Sequence, residues 1–427
     1  MNVKEQVHTF ACIYRQENIM KTAISRIFLL CASALISAPL ALAQSPNPVK
    51  QGSKNVPEFV PAFAQQTRAP ETKSGIRIDI ATVTDGLVHP WGIAVLPDGG
   101  FLVTERVGQL RHISPDGKKS DPIAGIPEVF SRKQGGLLDV ALAPDFPQSR
   151  MIYWTYSKPM GRGKSATAAA RGKLSDDMSK VTEVEDIFVQ EPPSPSPMHY
   201  GSRIIFNKQG LAFVTTGEHS AGKERILAQE LGTTYGKVIR INLDGSVPDD
   251  NPFVGKQGSI DTIWSYGHRN IQGADIHPET DELWTVEHGP KGGDELNKPE
   301  AGKNYGWPVI SYGENYNGSP VGQGITQMAG MEQPRYYWDP VIAPAGMTFY
   351  EGDMFANWKG NLLISSLKPG AIVRLEFDGD TVTGEEWLLT DQGRIRDIAE
   401  GPGGSLLVLT DKRNGAVLKL TPAAASK

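Results

Sequence analysis

The residues of this chain that could do chemistry together stand at the ends of short apolar runs. His199 and Glu218 lie one hairpin apart in HYGSRIIFNKQGLAFVTTGEH. On adjacent antiparallel strands they occupy paired ends, where a carboxylate can hold an imidazole in one tautomer. That makes a general base with an orienting partner. A histidine merely hydrogen-bonded in a loop is the competing reading. Gln134, Arg269, Asn270, Arg394 and Arg396 precede similar runs, while Glu287, His288 and Lys368 follow them. Three arginines and a lysine at matching positions would repel one another if left unpaired. They imply a bound polyanion, and the arginine fork suits carboxylates bidentately. Taken singly, each is equally well a surface residue.

The stretch over residues 267–308 (GHRNIQG, then EHGPKGGDELNKPEAGKNYGWP) is the most distinctive. Gly289 and Pro290 turn the backbone so that carbonyls can point at one centre. Asp294, Glu295 and the backbone near Tyr305 add oxygen donors. An oxygen-only set suits a hard cation such as calcium. The spacing matches no EF-hand, so an ordinary turn followed by a buried Trp307 stays open. Other chemistries lack their residues. The GRGKS run at 161–165 carries Lys158 where a phosphate loop requires glycine. No GxSxG, CxxC, HExxH or strand-linked GxGxxG occurs, and the 8 histidines are scattered.

The elements that must position these residues are six repeats of one pattern. They begin near Trp91, Gly135, Gly201, Asn270, Ala345 and Ile395, at intervals of roughly 45 to 75 residues. Each is an apolar run, a turn rich in Pro, Asp, Gly or Asn, then a second apolar run ending in a polar residue. This is a hairpin signature, and its repetition points to a radial array. An all-β, six-bladed β-propeller of four-stranded antiparallel blades is expected. A pair of β-sandwiches explains the strand spacing but not six similar hairpins. In a propeller the repeat ends converge on one axis. The long connections 157–170, 217–234 and 312–335 should crowd one face, as long loops in compact domains often carry function.

Composition sets the frame. The 427 residues carry 21% charged side chains and a net charge of −5, so no basic surface argues for nucleic acid. Met20, Lys21 and Arg26 open a basic region, an apolar stretch follows over 27–40, and Ala41-Leu42-Ala43 precedes Gln44. This reads as a secretory signal with translation starting at Met20, too short for a stable membrane span. Cys12 and Cys31 both fall before the cleavage site, so no disulfide is expected in the exported chain. The expected order is residues 1–43 as extension and signal, 44–75 as a flexible leader, 76–422 as the propeller and 423–427 as a tail.

The motifs RKQGGLLDVALAPDF, HYGSR, GHRNIQG, EHGPKGGDELN with NYGWP, and GRIRDI occur in this order over residues 76–422. Together they resemble the soluble aldose sugar dehydrogenases that use pyrroloquinoline quinone (PQQ), relatives of soluble quinoprotein glucose dehydrogenase. The resemblance implies a six-bladed propeller with PQQ over the channel. It implies His199 as catalytic base, Glu218 as its partner and Arg269 as a group stabilising the developing oxyanion. Gln134, Arg269, Asn270, Lys368, Arg394 and Arg396 fall where the family binds the cofactor. Gly289 and Pro290 would offer carbonyls to the calcium ion at PQQ, and Glu295 and Tyr305 match a separate, structural calcium site. Two departures leave substrate preference open: Glu218 stands for an aspartate of the glucose enzyme, and His288 for a glutamine.

The implied reaction takes hydride from C1 of an aldose to PQQ and yields a lactone, with electrons passing to an external acceptor. A periplasmic or secreted protein is expected, as monomer or homodimer. A calcium-dependent propeller lactonase or other hydrolase would need carboxylates converging on the metal from several blades. A non-catalytic sugar- or protein-binding propeller would not need His199 beside four cations.

Overall fold

A computed structural model of the chain describes residues 47–424. The expected signal segment, the start at Met20 and the last tail residues, 425–427, lie outside the described residues. The first strand, β1 (Ile78–Leu87), is an outer strand, and each blade then follows in chain order. The first comprises β2 (Pro90–Val95), β3 (Phe101–Glu105) and β4 (Gln109–Ile113). The second comprises β5 (Leu137–Leu142), β6 (Met151–Pro159), β7 (Ser165–Leu174) and β8 (Val181–Val189). The third holds β9 (Gly201–Phe206), β10 (Ala212–Thr216), β11 (Lys237–Ile241) and β12 (Ile263–Tyr266). The fourth holds β13 (Ile271–Ile276), β14 (Leu283–Glu287), β15 (Asp294–Asn297) and β16 (Tyr336–Trp338). The fifth has β17 (Pro344–Phe349), β18 (Leu362–Ser366), β19 (Ile372–Asp378) and β20 (Thr381–Leu388). The last has β21 (Ile395–Glu400), β22 (Leu406–Thr410) and β23 (Gly415–Pro422).

Each blade is antiparallel in simple succession, and β1 completes the last one by pairing with β23 from Ile78↔Pro422 to Leu87↔Gly415. The two ends of the propeller are thereby joined in one sheet, which closes the ring. In the first blade residues 119–123 run beside β4 through Ser120 N→His112 O (2.9 Å) and Ile123 N→Leu110 O (2.8 Å), an irregular fourth strand. The six sequence hairpins are the inner hairpins of the six blades. The innermost strands β2, β5, β9, β13, β17 and β21 each contact the next around the axis, and β21 contacts β2. A six-bladed propeller is therefore observed.

Strands such as β10 (AFVTT), β18 (LLISS) and β22 (LLVLT) are buried throughout, because both faces of a blade pack on neighbouring blades. Leu102, Leu137, Trp154, Ile204 and Val214 form one such interblade core, and Trp284, Trp338, Phe349 and Leu375 another. Polar staples join the inner strands of adjacent blades at every second interface. Asp139 Oδ2 accepts from Ile204 N at 2.9 Å, Asp275 Oδ2 from Phe349 N at 2.8 Å, and Asp397 Oδ2 from Ile93 N at 3.1 Å. Arg203 lies across the axis between the first and last of these carboxylates, 3.0 Å from each, with its guanidinium 4.4 Å from the Trp91 ring. All three charged side chains of that plug are buried.

One expectation is corrected. Residues 47–75 do not hang free as a flexible leader over their described length. Val49, Val56 and Ala69 are buried, and Gln66 is 0% exposed. Glu71 bridges Glu385 of β20. The Pro/Ser/Gln-rich composition lacks periodicity, but its amides and carbonyls find partners on the fourth and fifth blades.

Candidate active site

Each inner strand is entered through a residue with left-handed backbone: His89 (φ 50), Lys133 (φ 54), His199 (φ 44), Gly267 (φ 78), Ala343 (φ 46) and Gly393 (φ 77). For the residues bearing a Cβ this costs roughly 1–2 kcal/mol each. Strain repeated at equivalent places around one mouth marks where the fold aims side chains at a common centre.

His199 Nδ1 lies 3.2 Å from Glu218 Oε1, and the two side chains are 7% and 0% exposed. Glu218 Oε2 accepts from Ser220 N. Facing a carboxylate, Nδ1 carries the proton, and Nε2 has no protein partner among the described residues. Burial pulls the His199 pKa below its ordinary 6.5, Arg269 pulls it further, and the Glu218 bond and charge oppose them. Burial pushes Glu218 up, but its bond and charge contact with His199 and the charge of Arg269 hold it below the usual carboxylate range. The outcome is a neutral imidazole backed by an ionised carboxylate. Gln134 Oε1 accepts from His199 N at 2.7 Å, and His219 N donates to His199 O at 3.3 Å, so the strained turn is gripped on both sides.

Arg269 is 2% exposed. Its Nη1 donates to His288 O at 2.8 Å and its guanidinium lies 5.1 Å from the Trp307 ring. Nε and Nη2 are buried with no partner among the described residues. Glu287, at the leaving end of the fourth repeat, fixes the arginine from behind: it accepts from Arg269 N at 2.6 Å and from His268 Nδ1 at 2.9 Å. Asn270 Oδ1 accepts from Gly201 N at 3.0 Å, while its amide nitrogen donates to no described residue. His288 donates Nε2–H to Pro344 O at 2.7 Å, and burial, then Arg269, lower its pKa to about 3.

A cavity of about 230 Å³ is lined by Trp91, Leu138, Gln134, Gln272, His288, Arg106, Arg394 and Arg396, and Gln272 Oε1 accepts from Arg396 Nη1 at 3.2 Å. Arg394 Nη2 and Arg396 Nη2 both donate to Asp411 Oδ2, at 2.8 and 2.9 Å, and burial pushes Asp411 up less than Arg396 and Arg394 pull it down. Two of the four cations expected to stand unpaired, Arg394 and Arg396, therefore share a carboxylate. Arg106, which the sequence reading passed over, restores the excess. Arg396 Nε still lacks a partner. Lys368 is exposed; its neighbour Leu367 lines the cavity, and its ammonium has no partner among the described residues.

The signal for the missed residues was present. Arg106 follows the first hairpin and Asp411 the sixth, in the register that singled out Glu218, Glu287 and Lys368. Reading every leaving end would have found both. Arg203 and Gln272 lie inside inner strands, where alternation of apolar residues gives no cue.

At the expected cation site, Gly289 N donates to Asp294 Oδ1 at 2.8 Å, and Lys291 and Glu314 exchange backbone bonds of 2.9 and 3.1 Å. The carbonyls of Gly289 and Pro290 accept no hydrogen bond among the described residues. Glu295 and Tyr305 do not meet through their side chains. Tyr305 OH donates to Lys298 O at 2.5 Å, whereas Glu295 Oε2 accepts from Asn297 Nδ2 at 3.1 Å. Burial and the neighbouring Glu287 charge push Glu295 well above its ordinary value. Among the described residues no group of three or more His, Cys, Asp or Glu side chains could hold a metal ion, so a cation here would rely on carbonyl oxygens. No described helix is long and apolar enough to cross a membrane.

The family model described as Glucose / Sorbosone dehydrogenase matches residues 87–419. The chain is 44% identical over 348 residues to the aldose sugar dehydrogenase YliI of Escherichia coli (strain K12), covering 81% of this chain and 93% of that protein. The crystal structure of the soluble aldose sugar dehydrogenase from Escherichia coli in its apo-form superposes with a TM-score of 0.78 at 44% identity, over 81% of this chain and 100% of that one. The PQQ-bound aldose sugar dehydrogenase of Streptomyces coelicolor superposes with a TM-score of 0.67 at 26% identity, over 81% and 99% of the two chains.

Proposed function

This chain belongs to the glucose/sorbosone dehydrogenase family, and from that premise we propose that it is an exported, PQQ- and calcium-dependent dehydrogenase of aldose sugars. The observation that carries the proposal is the one-sided chemistry of the cavity lining and of Arg269 and Asn270, which are hydrogen-bonded to the lining residues His288 and Gly201. Arg269 Nε and Nη2 and Arg396 Nε are buried donors without acceptors among the described residues. The oxygens of Gln134 and Asn270 are spent on His199 N and Gly201 N, leaving their amide nitrogens as further donors. Buried donors left unmade cost about 1–3 kcal/mol each, so the site fits a ligand rich in acceptors, and PQQ carries three carboxylates and an ortho-quinone.

Gln134, Arg269, Asn270, Lys368, Arg394 and Arg396, with Arg106 beside them, would hold PQQ, and the Gly289 and Pro290 carbonyls would hold a calcium ion. When bound, the quinone would accept hydride from sugar C1, with calcium polarising its oxygens. The chain supplies the proton chemistry and the geometry. His199 takes the proton of the C1 hydroxyl at Nε2, since Nδ1 is committed to Glu218. Glu218 then stabilises the imidazolium. Arg269 donates to the oxygen as negative charge develops on it, from a buried position where no water screens the bond. A lactone leaves, and an external acceptor takes up the electrons. A hydrolase would need carboxylates at the metal, and this cavity presents arginines instead.

Reconstitution tests the reading. Protein purified without cofactor should reduce an artificial dye with glucose only after PQQ and Ca²⁺ are added. Inactivity across a panel of aldoses after reconstitution would rule the proposal out.

A further inference from the structure

Residues 47–75 precede the family match, which starts at residue 87, yet they grip segments that pack on the turn following His288, a residue that lines the cavity. Gln66 is wholly buried and its amide is fully used. Its Oε1 accepts from Ala62 N at 2.7 Å and lies 3.0 Å from Tyr312 OH, which Gln333 Oε1 shares at 2.6 Å, and Nε2 donates to Pro334 O at 2.9 Å. Its backbone carbonyl accepts from Tyr337 N at 2.8 Å. Tyr312 and Tyr337 are themselves stacked, with ring centroids 3.9 Å apart, so one leader residue clamps both members of the stack. Eleven residues earlier in the chain, Asn55 donates through N (2.8 Å) and Nδ2 (2.7 Å) to Asp339 Oδ1, while Val56 N donates to Oδ2 at 3.0 Å.

Both grips end on the 289–293 turn. Gly293 N donates to Trp338 O at 2.9 Å, next to the clamped Asp339. A Cβ on Gly292 would lie 2.8 Å from Asp339 Oδ1, and one on Gly293 would lie 2.8 Å from Gly313 N, just after Tyr312. At Gly292 and Gly293 the turn is thus wedged between the Asp339 carboxylate and the backbone of residues 312–313, with no room for a side chain at either glycine. Its first residues, Gly289 and Pro290, carry the two free carbonyls.

We infer that residues 47–75 are a strap that positions the 289–293 turn and the Tyr312 loop, holding the Gly289 and Pro290 carbonyls where a cation can bridge them. The cation half of this inference rests on the calcium reading above; the positional half does not. Asn55, Gln66 and Asp339 are positioning residues, reaching the site only through the turn. A leader so placed couples folding of the N-terminal segment to completion of the metal site.

The test uses the full chain carrying Asn55→Ala and Gln66→Ala, with exposed Glu58→Ala as control. Backbone amide exchange and calcium affinity by calorimetry are measured on each. In the double variant, amides at 289–293 and 312–314 should exchange at least about tenfold faster while those of β9 stay unchanged, and calcium should bind about tenfold more weakly. Wild-type exchange at the turn, or acceleration spread evenly over the propeller, would overturn the strap. Local acceleration in a protein whose wild type binds no calcium would uphold the strap and overturn the calcium reading.

Discussion

Replacing Glu218 by glutamine keeps the shape of the partner behind His199 and removes its charge. The carboxylate uses both oxygens, one facing His199 Nδ1 at 3.2 Å and the other accepting from Ser220 N. An amide has a single acceptor oxygen. If that oxygen serves Ser220, the amide nitrogen faces Nδ1 and drives the ring proton to Nε2, so the base is lost outright. If it serves His199, a donor is forced against Ser220 N–H. In either case the imidazolium loses an opposite charge that shifts a pKa by about 1–3 units at such range, or about 1.4–4 kcal/mol. With Glu218 0% exposed, solvent does not screen the loss. We expect kcat to fall about 10- to 10³-fold, with KM changed by less than about threefold because the substrate still meets the same walls.

The pH profile gives a second, signed readout of the same variant. Burial and Arg269 place the His199 pKa below 6.5, so its base form is full above that value and activity is lost as pH falls through the lowered pKa. Glu218 is the group that raises it, so Glu218→Gln should move the acidic midpoint lower still while depressing the plateau. Steady-state dye reduction from pH 4 to 8, with C1-deuterated glucose to confirm that C–H cleavage limits the rate, measures both. A kcat within threefold of wild type, or a midpoint that rises, would refute the assignment of base and partner.

Arg203→Met leaves Asp139 and Asp397 buried without their shared cation, and should cost about 3–5 kcal/mol in denaturant unfolding; a loss under 1 kcal/mol would mean that the axial plug is not structural. Gly346→Ala places a Cβ 1.7 Å from Asp397 Oδ1 and should destabilise by about 1–3 kcal/mol through forced displacement of that carboxylate; wild-type stability would show that the inner strands can yield. Arg396→Met removes a buried donor from the cavity and should weaken PQQ binding about 10- to 100-fold in a fluorescence titration, from a charged hydrogen bond of about 1.5–3 kcal/mol. An unchanged Kd would refute the polyanion argument.

Much of the architecture was readable because a propeller is built from local hairpins. Turn chemistry at Asp98-Gly99 and at Asn207 to Gly210 and the apolar runs beside it determine each inner hairpin within about 20 residues, and six such units reveal the ring. The same register marked His199 and Glu218, since their strands are neighbours in sequence as well as in the sheet. Arg106 and Asp411 were equally marked and simply passed over.

Other features had no local trace. Asp139, Arg203 and Asp397 come from three blades, and nothing near any one of them announces the other two. The leader read as flexible because its partners, Asp339, Tyr312 and Glu385, lie roughly 250 to 330 residues away. Sequence by itself determined the repeating hairpin and the chemical type of its ends, both set by backbone propensity and alternation over a few residues. Tertiary structure alone decided which of those ends share a cavity, which charges pair before any ligand arrives, and what holds the carbonyl turn in place, because burial and pairing across the ring exist only once its first and last strands have met.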